Sequence, residues 1–191
     1  GFFTWYGVSP LQCYATKISS AGFKWFAGEV QVASGFGSTV RVNPVAVRAG
    51  SDFVVLYRML DANQSSDGVG AQRLSTNGNL MWDDTGVVLK PISNLQEYGS
   101  LTASYTNDGS FIAFTQSPSF GDDVIIAASI DQNGLPTWDT HFINVATTQS
   151  IKSRIVASPP DPNHLAKPAS GKSSGNRLAP KPIQKTGPFE S

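Results

Sequence analysis

The chain repeats itself at a fixed interval. Gly22, Gly78 and Gly134 are evenly spaced, and each sits inside the same short phrase. The stretches Ala15-Thr-Lys-Ile18, Ala71-Gln-Arg-Leu74 and Ala127-Ala-Ser-Ile130 precede the three glycines, and a large aromatic (Phe26, Trp82, Trp138) follows each by four positions. Self-similarity at such a period means one supersecondary unit copied along the chain, each copy burying its apolar face against the next. That constrains the fold before any single residue is interpreted.

Laid out by this interval, each copy reads as four short strands separated by turn chemistry. In the middle copy they fall at about residues 69–75, 81–89, 101–105 and 111–116. Asn77-Gly78 supplies the positive φ that a tight hairpin or its bulge needs, and Asn107-Asp-Gly109 marks a second turn. The third copy gives strands near 124–130, 138–145 and 154–158 and then runs into Pro159-Pro160-Asp161-Pro162, so its fourth strand is missing. The chain start supplies one, because Phe2-Phe-Thr-Trp-Tyr6 matches the fourth-strand pattern of residues 53–57 and 111–115. The expected fold is therefore all-β: propeller-like blades of four antiparallel strands, with copies at about 1–58, 69–116 and 124–158. The N-terminal strand is then available to complete a last blade, as many propellers close. Three blades are fewer than the roughly four to eight of known propellers. The reading thus requires a longer chain or a ring of several chains.

Residues 159–191 differ in kind. They hold seven of the twelve prolines and the run Ser170-Gly-Lys-Ser-Ser-Gly175, a composition that cannot bury enough apolar surface to fold alone, and they read as an extended tail or linker. Overall charge is balanced at 14 basic against 14 acidic residues, which gives no global field for nucleic acid. The tail carries five basic against two acidic residues, but without interleaved aromatics it reads as a soluble linker. No stretch approaches the roughly 20 apolar residues of a membrane helix, so membrane insertion is not expected. Cys13 is the only cysteine, which excludes an intrachain disulfide and suggests an inert thiol in a strand.

The phrase Ala71-Gln-Arg-Leu-Ser-Thr-Asn-Gly-Asn-Leu-Met-Trp82, followed by Asp-Asp-Thr-Gly86-Val-Val-Leu, resembles a repeat of secreted and surface-attached bacterial proteins. There each copy reads Tyr-Ala-Gln, a basic residue, an aliphatic, Asp, two residues, Gly-Asn, two residues, Trp-Gly and then a Gly-Val strand. The resemblance covers about residues 1–158. Copy one departs from it with Phe23-Lys-Trp-Phe26, and copy three with Pro136. It implies a propeller-like scaffold in an extracellular or cell-surface setting rather than a catalyst.

Candidate chemistry is sparse. Trp82, Trp138 and Phe26 are platforms on which a sugar could stack, but their recurrence at one repeat position favours packing between neighbouring blades. Trp5 and Tyr6 alternate on the opening strand, so one of them is expected to face solvent. Asp67 and Asp123, separated by the same interval, each stand four positions before the first-strand alanine, where an acid fixes a turn more readily than it holds a cation. Residues 61–68 resemble a calcium loop but lack its closing Glu. The Asp-box of sialidase-like propellers fails on spacing, because Trp82 and Trp138 stand four positions after Gly. Gly171-Lys-Ser173 lacks the first glycine and the strand of a phosphate loop. His141 and His164, the only histidines, do not form a metal motif. The reading is a non-catalytic interaction module without cofactor or metal. Loops at 60–68, 90–99 and 117–123 would contact a protein partner or another copy that completes the ring. A glycan-binding lectin and a fragment of a propeller-type glycosidase or lyase are the alternatives.

Overall fold

The computed structural model describes residues 1–25, 28–34, 39–106, 109–118, 122–148, 152 and 155–157. All of them belong to the compact unit Gly1–Pro160, and the tail at 159–191 lies outside the described residues. Eleven strands form and, among the described residues, no helix: β1 Phe2–Tyr6, β2 Cys13–Lys17, β3 Val30–Gln31, β4 Val40–Ala49, β5 Asp52–Leu60, β6 Asp67–Leu74, β7 Val87–Ser93, β8 Gln96–Thr106, β9 Gly109–Pro118, β10 Val124–Ile130 and β11 Ile143–Ala146. They make three antiparallel sheets in chain order: β1-β2-β3, β4-β5-β6-β7 and β8-β9-β10-β11.

The expected strand at 2–6 is β1 and that at 124–130 is β10. The strand expected at 154–158 is irregular at 155–157, and its two ends lie outside the described residues. The second strand of each later copy starts further along than the sequence suggests. β7 begins at Val87 instead of 81, and β11 at Ile143 instead of 138. Among the intervening residues the Trp82 indole bonds to the Gln132 carbonyl, and Gly86, with φ of 72°, lies where a Cβ would come within 2.4 Å of the Ala71 carbonyl and 2.5 Å of the Tyr57 hydroxyl.

The sheets are also cut in a different phase from the copies. Each full sheet joins the third and fourth strands of one copy to the first and second strands of the next. The expected loop at 90–99 is for the most part strand, since only residues 94 and 95 separate β7 from β8. There the chain leaves one sheet, and β8 packs against β6, β5 and β4 while pairing with β9 from Gln96 to Thr106. A register shift between Gly99 and Thr102, with Ser100 at φ of 48°, re-aims the strand. The equivalent shift in β4 lies between Val42 and Val45, with Asn43 at φ of 52°. Among the described residues β1 pairs with β2 in the first sheet and with no strand of the last one.

Two core layers follow. Between the first and second sheets lie Cys13, Ala15, Trp25, Val32, Val55, Tyr57, Met59 and Leu74. Between the second and third lie Val54, Leu56, Val69, Ala71, Tyr98, Ile112, Phe114 and Ile130. Strand alternation produces this, with Val54 and Leu56 of β5 facing one neighbour and Val55 and Tyr57 the other.

Candidate functional site

The three repeat glycines occupy the same turn three times. Gly22, Gly78 and Gly134 have φ of 83°, 89° and 81°, a region open to glycine without steric cost. Their N–H groups donate to the carbonyls of Ser19 (3.1 Å), Ser75 (3.0 Å) and Asp131 (3.0 Å). The side chains of those three residues in turn accept from the N–H groups of Phe23 (3.1 Å), Asn79 (3.0 Å) and Leu135 (2.9 Å). Ser and Asp serve equally because the turn needs one short side-chain acceptor.

Each turn is fastened to the next by an indole. Trp25 Nε1 donates to the Thr76 carbonyl at 2.6 Å, and Trp82 Nε1 donates at 3.0 Å to the Gln132 carbonyl, which stands one repeat interval beyond Thr76. The same rings cover the next glycine: a Cβ on Gly78 would lie 3.1 Å from Trp25, and one on Gly134 3.2 Å from Trp82. The turn glycine is thus required for its conformation and for this close approach. Trp25 precedes by one the position that Trp82 occupies, and Phe26 falls outside the described residues. Trp138 is half-buried.

Asp67 is buried. It pairs with Arg58 (Nη2 to Oδ2, 2.5 Å) and accepts the N–H of Tyr98 at 2.9 Å, which ties β6 to the start of β8. Asp123 accepts from the Ser117 hydroxyl and from the N–H of Lys152 at 2.7 Å. The Ser117 hydroxyl, seconded by that N–H, holds the Asp123 carboxyl below its ordinary 3.8. In the first sheet the Leu11 carbonyl, one interval before Asp67, accepts from the N–H of Arg41 at 3.0 Å. At Leu11 and Asp67 the repeated position therefore latches the strand that starts the following sheet, and at Asp123 it holds the chain at Lys152. In the loop before β6, Asp61 accepts from the N–H groups of Ser65 (2.7 Å) and Ser66 (2.9 Å).

Trp5 and Tyr6 are placed differently from each other. Phe2 stacks on Phe53 of the second sheet at 3.9 Å between ring centroids, so alternation puts Phe2, Thr4 and Tyr6 on the face toward the second sheet, where Tyr6 at the strand end stays exposed, and Phe3 and Trp5 on the opposite face. Trp5 is half-buried against Tyr14 (6.1 Å, 23°), while Phe3 and Tyr6 are 51% and 44% exposed.

One group that sequence reasoning missed lies deeper. Arg41 is 1% exposed between the first two sheets, donating to Gln12 Oε1 (2.9 Å) and to the Ser34 carbonyl (3.2 Å), with its guanidinium 5.9 Å from the Tyr57 ring centroid. Its counterpart one interval on is Glu97, so periodicity carried no signal for it. Burial pushes the Cys13 thiol up to about 12, a state without nucleophilic thiolate at neutral pH. At one end of the same layer, Gly1, Phe2, Lys17, Arg48, Ser51, Phe53 and Thr76 line a cleft of about 350 Å³. Among the described residues no group of three or more His, Cys, Asp or Glu is placed to hold a metal ion, and no helix is long and apolar enough to cross a membrane. No protein family, curated protein or solved structure matches the chain.

Proposed function

We propose that the chain is a non-catalytic, extracellular or cell-surface scaffold whose three sheets are propeller-like blades, with a protein partner or another copy completing the ring. One observation carries this reading: the side chains at and beside the repeat turns and strand starts are engaged in closing those turns and in joining one unit to the next. Trp25 and Trp82 bind the following turn, Ser19, Ser75 and Asp131 close the turns, Asp67 latches the following strand and Asp123 holds the chain at Lys152. A chain that commits its recurrent chemistry to its own geometry holds its connectors in fixed positions, and connectors on a rigid frame are where contact residues vary freely. The connector at residues 61–66 is such a loop, braced from within by Asp61. The resemblance of residues 71–89 to repeats of secreted bacterial proteins supports the setting.

Replacing residues 62–64 by Gly-Ser-Gly, with Asp61, Ser65 and Ser66 kept, tests the scaffold. Urea unfolding is expected to shift by no more than about 0.5 kcal/mol, the usual range of surface changes, and a chain that no longer folds would count against the reading. Turnover of any polysaccharide by the purified chain would overturn it in favour of an enzyme. Quenching of Trp fluorescence by an oligosaccharide would replace it with a lectin.

A further inference from the structure

Among the described residues nothing covers one core face of the first sheet. Register makes the comparison direct: Phe3 pairs with Thr16 as Val55 pairs with Gln72, and Trp5 pairs with Tyr14 as Tyr57 pairs with Gly70, each β2 residue lying one interval before its β6 counterpart. In the third sheet Ile112 and Phe114 hold the same places, opposite Ala128 and Ile126. Val55, Tyr57, Ile112 and Phe114 are all 0% exposed because the preceding sheet lies over them, whereas Phe3 is 51% exposed.

Two more features of the first sheet are open in the same way. Gly78 and Gly134 each lie under an indole of the preceding unit, while a Cβ on Gly22 would meet nothing within 4 Å. β5 and β9 each have a strand on both sides, but among the described residues β1 is the edge of its sheet, paired on one side alone. Gly1 and Ile18 exchange both hydrogen bonds, so by alternation the backbone groups of Phe2, Thr4 and Tyr6 point to the open edge.

The third sheet offers the complementary half. Ile143 and Val145 are 42% and 56% exposed, although their counterparts one interval earlier, Val87 and Leu89, pack into the second core layer. Trp138 follows Gly134 as Trp82 follows Gly78. The N–H of Lys152 is latched by Asp123 much as that of Tyr98 is by Asp67, and the N–H of Ala157 donates to Thr102 Oγ1 of β8 at 3.0 Å. The chain at these two points thus leaves the third sheet along the course that β8 takes off the second.

We propose that the Phe3 and Trp5 face of the first sheet is covered by the third sheet of a second copy, whose chain at Lys152 and at residues 155–157 runs along the open edge of β1. The contact is head-to-tail, and two chains close it into a ring of six sheets with two identical junctions. Six lies inside the range of known propellers. The occupant is a second copy because this chain carries both halves of the junction. The proposal deepens the scaffold reading and rests on it.

The test uses the whole chain in solution. Light scattering after size exclusion should give twice the 20.3 kDa of one chain. Phe3→Asp and, separately, Ile143→Asp should each weaken association by roughly thirtyfold or more, the scale of an interface hot spot, with an unchanged far-ultraviolet spectrum. Each variant spoils a different half, so mixing them must restore one intact junction and give a 1:1 dimer. Val145→Asp replaces Ile143→Asp should the latter not fold. A monomer at high protein concentration, an open series of higher masses, or a mixture that fails to form the heterodimer would overturn the proposal. A monomer that turns over no glycan would sink the junction alone, while turnover by a dimer would sink the scaffold reading alone.

Discussion

The two core layers solve one geometric problem with different chemistry. The layer between the second and third sheets is apolar, with Tyr98 and Phe114 packed edge to face at 5.7 Å among Leu56, Val69 and Ile112. A cation stands at its side, Lys90 Nζ lying 3.8 Å from the Phe142 ring centroid. The layer between the first and second sheets buries the Arg41 guanidinium, a thiol and the Tyr57 phenol, whose pKa burial raises to about 12. The difference teaches that the turns, indoles and strand latches fix the sheet-to-sheet geometry, and that the layer between is free to be greasy or polar.

The sharpest way to break this comparison is to damage each layer at its centre. Phe114→Ala should cost about 3–5 kcal/mol in urea unfolding, the scale of a large aromatic lost from a closed core. Arg41→Ala strips charged hydrogen bonds from the Gln12 carbonyl oxygen and the Ser34 carbonyl, and should cost about 2–3 kcal/mol. Arg41→Met, which refills the space without a charge, should recover at least half of that, as buried charges replaced by apolar groups commonly do. A Met variant no better than Ala would show that the guanidinium itself holds the first layer.

The staples give a finer contrast. Trp25→Phe and Trp82→Phe each keep a ring over the next glycine and lose the indole hydrogen bond, so each should cost about 1 kcal/mol. Trp25 is 8% exposed and Trp82 half-buried, so the first change should be the costlier in paired melts. Equal costs would mean that burial of the bond is irrelevant. The smallest effect is with acid. Asp61, held down by the N–H of Ser66, and Asp123, held down by the Ser117 hydroxyl, have carboxyls lowered from 3.8. Their contribution is complete above the unfolded value and is lost as pH falls through the lower folded one. The urea midpoint should therefore decline below about pH 4, and Asp123→Asn should flatten part of that decline.

How far the fold was legible depended on whether a feature recurs. The turn at Gly78 could be read from Asn77-Gly78 because local dihedral chemistry decides it, and its copies at Gly22 and Gly134 came with the period. The phase of the sheets could not, because the choice of partner for β8 is made by a register shift at Gly99 and by the Asp67 latch, and neither leaves a mark in strand propensity. In copy one the staple moved from the aromatic position at 26 to Trp25, a slip of one residue that periodicity hides. Arg41 had no recurrent counterpart, and burial of a lone charge depends on Gln12 and Ser34 arriving from elsewhere in the chain. Asp67 and Asp123 were legible as fixing groups through their spacing, but not as links from one sheet to the next.

The indole that seats on the glycine of the following turn makes the chain modular in a countable way. Excising one whole repeat between two equivalent turns would deliver Trp25 to Gly134 with the same offset, hydrogen bond and ring contact that it now has with Gly78. A gene built on this plan can lengthen or shorten by unequal recombination in whole units without reopening a core, whereas a gain or loss of any other length would leave an indole facing the wrong residue.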